Sequence, residues 1–184
     1  RSLNYYRIPI NKQIEDVNYS YEDLNKFTTE LIQKINKLHN KLTVSDTLKV
    51  VLPYNFKENS RIAINSYNRL SKKNMSNNNE NSLMVRSLKS VSIFTNNKNN
   101  ANIKESILSY PLTYMGFSGY TNPFTLEAHI NTNVAKLNIP TTICHEIAHQ
   151  LGYSAENEAN YISIEATLNS DNEYVNYSGS TFAL

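Results

Sequence analysis

The 184-residue chain has the size of one ordinary domain, large enough to bury a substantial core. Its 18 Lys and Arg residues nearly balance its 16 Asp and Glu residues and form no dense basic stripe, so a nucleic-acid partner has little electrostatic support. No hydrophobic run reaches the ~18 residues needed to cross a bilayer. Cys144 is the only cysteine, which excludes an intrachain disulfide. We therefore predict one domain over residues 1–184 that does not bind nucleic acid.

Two amphipathic helices are predicted in the first half of the chain. A helix from about Tyr21 to Lys41 is indicated by apolar residues at spacings of three and four, namely Leu24, Phe27, Leu31, Ile35 and Leu38. His39 lies near the end of this helix, where a cation suits the helix dipole, so we interpret it as structural. A similar pattern predicts a second helix from about Ser60 to Lys72.

The middle of the chain predicts loops and short strands. Lys73 to Ser82 is interpreted as a loop, and the alternation around Leu88 to Phe94 predicts a short strand. Two further strands, Gly116–Tyr120 and Thr125–Asn131, flank a predicted turn at Thr121–Phe124. One face of the last strand is predicted to consist of Leu126, Ala128 and Ile130.

The segment from His145 to His149, with Glu146 inside it, is the most informative part of the chain. Successive helical residues turn by about 100°, so the two histidines project about 40° apart, separated by one turn of roughly 5–6 Å. Both can reach one zinc ion with bonds of about 2.0–2.1 Å. Glu146 is rotated toward the same cleft, where it can act as a general base. The alternative is an ordinary amphipathic helix whose His and Glu residues face solvent.

The residues around this segment favour a packed helix. Pro140 suits a first turn, and the hydroxyl of Thr141 or Thr142 can cap free backbone N–H groups, while Gly152 suits the end. An apolar stripe is formed by Ile143, Ile147 and Leu151. Cys144 points about 100° away from His145, so we interpret it as a small buried residue and not as a ligand.

A catalytic zinc site needs a third protein ligand. After a turn at Gly152, a second helix is predicted from a Ser154 cap to Leu168. Glu156 and Glu158 point about 200° apart on this helix, so one orientation offers only one of them to the metal. We choose Glu156, because its face carries the small polar residues Asn160, Ser163 and Thr167. Asn160 is predicted to hydrogen-bond a ligand of the site. The third histidine of the metzincin pattern would fall at Ala155, which disfavours that class.

Several segments of the chain resemble one bacterial protein family. They are Asn4-Tyr5-Tyr6-Arg7, Tyr114-Met115-Gly116-Phe117-Ser118-Gly119-Tyr120, Asn122-Pro123-Phe124-Thr125, Glu127-Ala128, Cys144-His145-Glu146-Ile147-Ala148-His149-Gln150-Leu151-Gly152-Tyr153 and Tyr177-Ser178-Gly179. Together with the pairing of His-Glu-x-x-His and Glu-x-x-Ala-Asn, they resemble membrane-anchored zinc metallopeptidases of the gluzincin type, a family catalogued only as a domain of unknown function. The resemblance implies a parent anchored through a membrane segment absent from this chain, with the domain on the extracytoplasmic face of a bacterial membrane.

The resemblance also bears on substrate binding and on the oxyanion. Zincin folds usually carry, just before the metal helix, a strand whose edge pairs with an extended peptide, and Thr125–Asn131 has that position. His129 on this strand is interpreted as a surface or hydrogen-bonding histidine and not as a ligand. Tyr177 is nominated as the phenol that donates to the developing oxyanion, although packing is the commoner role of a tyrosine.

We therefore predict an α+β, mostly helical, zincin-like domain with a small sheet beside the metal helix and a following helix that carries a glutamate. One Zn²⁺ per chain is expected on His145, His149 and Glu156, and Glu146 is expected to act as general base in the hydrolysis of a peptide or protein substrate. One alternative is a catalytically silent, metal-stabilised sensing or binding domain. The other is a structural helical module without metal.

Overall fold

The computed structural model describes residues 20–43, 49–76 and 102–184. The predicted strand at Leu88–Phe94 and residues 77–82 of the predicted loop lie outside the described residues. The first part of that predicted loop is helical, because the second helix continues to Ser76.

Two long helices come first in the described chain. Helix α1, Tyr21–Leu42, confirms the predicted helix and starts with a capping box formed by Ser20 and Asp23. Helix α2, Phe56–Ser76, begins earlier than predicted, because Asn55 and Glu58 form a similar reciprocal pair. Asn55 Oδ1 accepts from the Glu58 N–H at 2.9 Å, and Glu58 Oε2 accepts from the Asn55 N–H at 3.1 Å.

Three short strands form a sheet that packs beside the later helices. They are β1 (Ile103–Glu105), β2 (Gly119–Thr121) and β3 (Ala128–Ile130), and the short helix α3 (Ser109–Tyr114) lies between β1 and β2. Their order is β1-β3-β2, with β3 parallel to β1 and antiparallel to β2.

The prediction that Thr125–Asn131 is a free edge is therefore wrong. Its strand, β3, is the central strand and is paired on both sides. The cause is β1, a strand too short to produce an alternating pattern, which pairs with β3 through residues such as Ile103 and Ala128. Leu126 also departs from the predicted face: it precedes the strand, has a φ of 58° and is 55% exposed. Ala128 and Ile130 are fully buried, as predicted.

Three helices complete the fold: α4 (Ile139–Gln150), α5 (Glu156–Leu168) and α6 (Glu173–Ala183). The first two confirm the predicted helices, and α6 was not predicted. Both predicted caps are wrong. Helix α4 follows a 3₁₀ turn, and its N-cap residue, Asn138, makes no side-chain capping bond. Helix α5 begins after Ala155, so Ser154 lies one residue too early to cap it.

Helix α4 lies at the centre of the structure, between α2, α5 and the sheet. Its buried side includes Ile143, Cys144 and Ala148, all with no exposed surface. Cys144 Sγ lies 3.7 Å from the carbonyl oxygen of Ala63 on α2, and burial raises the pKa of this thiol to about 12. The prediction of a buried structural cysteine is confirmed.

The architecture is α+β: mostly helical, with a small sheet against the helix that carries the two histidines. None of the helices in the described part of the chain combines the length and the apolar character that a bilayer crossing requires.

Candidate metal centre

Three potential metal ligands meet where helices α4 and α5 are joined. Nε2 of His145 lies 3.0 Å from Nε2 of His149 and 3.2 Å from Oε2 of Glu156. Nε2 of His149 lies 3.5 Å from the other carboxylate oxygen, Oε1. All three ligand atoms lie within 4.8 Å of one another. The structure therefore brings together the three residues that the sequence predicts as zinc ligands.

The spacing of these atoms suits a zinc ion. In a tetrahedral site with Zn–N bonds of about 2.0–2.1 Å, neighbouring ligand atoms lie roughly 3.3 Å apart. The two Nε2 atoms lie 3.0 Å apart, and each imidazole has one Glu156 oxygen near this distance: Oε2 lies 3.2 Å from His145, and Oε1 lies 3.5 Å from His149. The side chain of Glu156 is 76% exposed, so solvent has access to the cluster. Two imidazoles and one carboxylate with an accessible side match the donor set of catalytic zinc sites.

A tight turn makes this convergence possible. Gly152 has a φ of 93°, a conformation that favours glycine, and its N–H donates to the carbonyl of His149 at 2.9 Å. The N–H of Tyr153 donates to the carbonyl of Ala148 at 3.1 Å, which completes a Schellman motif. The chain then reverses, and α5 packs on α4 through Ala159, which has no exposed surface. As a result, the first residue of α5, Glu156, lies over the histidines.

Each histidine has a second polar neighbour. The Nδ1–H of His149 donates to the carbonyl of Tyr153 at 2.6 Å, which leaves Nε2 unprotonated in the neutral ring and directed at the cluster. The side chain of Asn160 lies near His145 and acts to raise the pKa of its ring. Burial lowers the pKa of His145, and the neighbouring His149 shifts it in the same direction, so the neutral form that binds metal is favoured.

Glu146 is a buried carboxylate beside the cluster. It is only 4% exposed, and strand β2 covers it. Thr121 Oγ1 donates to Glu146 Oε2 at 2.9 Å. Burial raises the pKa of Glu146, and the hydrogen bond from Thr121 partly opposes this by stabilising the charged form.

Two other candidate groups are directed elsewhere. His129 forms a cross-strand pair with Tyr120, and their rings stack with centroids 4.9 Å apart. This pair lies on the opposite face of the sheet from Thr121 and Glu146, because side chains alternate along a strand. Glu158 is 8% exposed and lies two residues along α5 from Glu156, on another face of the helix.

Comparison with protein families gives a match over the whole chain. Residues 1–184 match the family described as "Protein of unknown function (DUF3810)". The chain belongs to this family. No curated protein and no solved structure matches the chain. The family description names no metal and no activity.

Tyr177 is not brought to the cluster. Its hydroxyl is hydrogen-bonded to His39 Nδ1 on α1 at 3.1 Å, and the tyrosine is 8% exposed. The next residue, Ser178, is hydrogen-bonded at 2.7 Å to Thr141 in the first turn of α4, about one helical turn before His145. The Tyr-Ser-Gly segment therefore packs α6 against neighbouring helices. The predicted role of Tyr177 at the oxyanion has no support from these contacts.

Two residues that contact Glu146, Gly119 and Thr121, were not predicted from the sequence. A Cβ atom on Gly119 would lie 2.9 Å from Glu146 Oε1 and 3.1 Å from Glu146 Cγ. An isolated glycine inside a strand pattern often marks such a close approach. That signal was present in the chain, but nothing local indicates which residue approaches the glycine.

Proposed function

We propose that this chain is a zinc-dependent peptidase in which His145, His149 and Glu156 hold the metal and Glu146 is the general base. One observation carries the proposal: three ligand atoms of suitable type lie within 4.8 Å of one another, next to the buried carboxylate of Glu146. A metal-stabilised binding domain would need the three ligands. It would have no need for a buried carboxylate beside them, because burying a charge is costly.

In this proposal zinc and Glu146 have separate roles in the hydrolysis. A bound zinc ion supplies a Lewis acid that polarises the scissile carbonyl and acidifies water. Glu146 accepts a proton from the attacking water and passes it to the leaving amine. Burial raises the pKa of Glu146, which makes its carboxylate a stronger proton acceptor.

The substrate edge belongs to β2 in this proposal. Ser118 and Asn122 form backbone hydrogen bonds to β3 or its flanks, with Ser118 O accepting from Asn131 and the Asn122 N–H donating to Glu127 O. In an antiparallel ladder such pairs alternate with unbonded ones, so the N–H and C=O groups of Gly119 and Thr121 point away from β3. An extended peptide can pair with these groups directly beside Glu146.

The first test is the metal content of the protein purified without added zinc. We expect close to one zinc per chain, measured by elemental analysis against protein concentration. A chain that binds no zinc even when zinc is supplied would instead be a structural helical module.

The second test separates the general base from the ligands. Glu146→Gln should retain zinc and lower the rate of peptide hydrolysis by about 10²–10⁴-fold, because the amide cannot accept the proton. Glu158→Gln is the matched control: it removes the same charge from the next helix and should leave zinc content and rate near those of the unmodified protein. Loss of zinc from Glu146→Gln would make Glu146 a ligand. Full zinc without turnover in the unmodified protein, over a broad peptide library, would identify a silent metal-stabilised domain.

A further inference from the structure

Strand β2 contacts the carboxylate of Glu146 at both of its oxygens. Thr121 Oγ1 donates to Oε2 at 2.9 Å, while Oε1 lies against Gly119, where a Cβ atom would be only 2.9 Å away. Gly119 and Thr121 are two residues apart, so they present the same face of the strand to α4. One oxygen is thus held by a hydrogen bond, and the other occupies space that a side chain would fill.

The backbone fixes the position of this strand relative to α4. Gly119 and Thr121 pair with Ile130 and Ala128 of β3, and both of these partners are fully buried against the core. The side-chain amide of Gln150, at the end of α4, donates to the carbonyl of Leu126 at 2.8 Å, which ties the β2–β3 turn to the same helix. The Thr121 side chain on β2 is therefore held in a fixed position relative to α4, the helix that carries the two histidines.

We propose that Thr121 is a positioning residue for Glu146. We also propose that residue 119 must be glycine, because a side chain there would displace the Glu146 carboxylate. The hydroxyl of Thr121 holds Oε2 and so fixes the rotation of the carboxylate. Oε1 is then the oxygen left to accept the proton. A carboxylate without this hydrogen bond can rotate, and misplacement of a reacting group by about 1 Å can cost about 10²-fold in rate. This inference rests on the proposed function.

The test uses Thr121→Val, which keeps the shape of the side chain and removes the hydroxyl. We expect kcat to fall by about 10- to 100-fold, with KM changed by less than about threefold and with one zinc per chain retained. Thr121→Ser should restore most of kcat, because it returns the donor. Thr125→Val is the control: the same substitution in the β2–β3 turn, where the hydroxyl donates to Glu127 at 3.2 Å, should leave kcat unchanged.

Three results would overturn the inference: a Thr121→Val enzyme with native kcat, a Thr121→Ser enzyme as slow as Thr121→Val, or loss of zinc from Thr121→Val. Gly119→Ala provides an independent arm, in which the added methyl should displace Glu146 and lower kcat with zinc retained.

Absence of hydrolysis by the unmodified protein would refute the proposed function and not this inference. In that case, crystal structures of the zinc-loaded unmodified and Thr121→Val proteins test the positioning role of Thr121. An ordered Glu146 carboxylate that becomes rotated or disordered in the variant supports the positioning role, whereas the same carboxylate position in both proteins refutes it.

Discussion

The helix pair α4–α5 and the three-stranded sheet contribute to the candidate site in different ways. All three proposed ligands lie within residues 145–156, so one helix, one turn and the start of the next helix bring them together. The group that holds Glu146 comes from Thr121, 25 residues earlier in the chain and in another layer of the fold. The proposed metal binding is thus a property of a local motif, whereas the position of the proposed general base, Glu146, depends on tertiary packing. The two properties should respond to different substitutions.

The largest effect on zinc affinity is expected within the helix pair. Glu156→Ala removes one of three ligands and should weaken zinc binding by more than about 100-fold, beyond the loss of roughly 10–100-fold that follows removal of a ligand's hydrogen-bond partner. Affinity can be measured by competition with a chromogenic chelator. Glu158→Ala, measured in parallel, should bind zinc nearly as well as the unmodified protein. The opposite ranking of the two variants would reverse the assignment of the third ligand.

An intermediate effect is expected at Asn160, which lies near His145 and was predicted to support the ligands of the site. Asn160→Ala should weaken zinc binding by about 10–100-fold, because the imidazole loses the partner that orients it. Asn157→Ala, at an exposed position in the first turn of α5, is the matched control and should have no measurable effect. Equal affinities for both variants would mean that Asn160 does not support the metal site.

The smallest effect on zinc is expected where α6 packs against α5, outside the cluster. A Cβ atom on Gly179 would lie 2.6 Å from Thr167 Cβ, so Gly179→Ala should force the two helices apart. We expect the free energy of unfolding to fall by about 1–3 kcal/mol, as overpacking of a core usually costs. Zinc content should stay at one per chain. Thr181→Ala, on the same helix, should change stability by less than about 0.5 kcal/mol.

Denaturant titrations of both zinc-loaded variants measure this difference. Loss of zinc from Gly179→Ala without loss of stability would contradict the idea that metal binding depends only on the local helix pair.

Helical elements of the fold were predictable where a periodic pattern extends over several turns. The spacing of Leu24, Phe27 and Leu31 located α1, although Leu24 and Phe27 are exposed and only Leu31 is buried. The alignment of His145 and His149 follows from the angle per helical residue, and the choice of Glu156 over Glu158 follows from the small polar residues on its face of the helix. The structure brings the chosen groups together.

The sheet was only partly predictable. Strands β2 and β3 were expected near their observed places, but β1 was not, since three residues carry too little alternation to indicate a strand. Without β1, Thr125–Asn131 looked like a free edge. Strand order is set by pairing between segments distant in the chain, and no local pattern encodes it. Helix α6 was also missed, because its packing relies on contacts such as Ser178 with Thr141.

The proposed zinc ligands were predictable from local sequence, because an i, i+4 histidine pair, a glycine turn and a glutamate at the start of the next helix act over short chain distances. Three features arise instead from contacts between distant segments: the edge position of β2, the packing of Tyr177 against His39, and the contacts of Gly119 and Thr121 with Glu146. These outcomes depend on which distant surfaces bury each other, and burial energy is a property of the whole fold and not of any one segment.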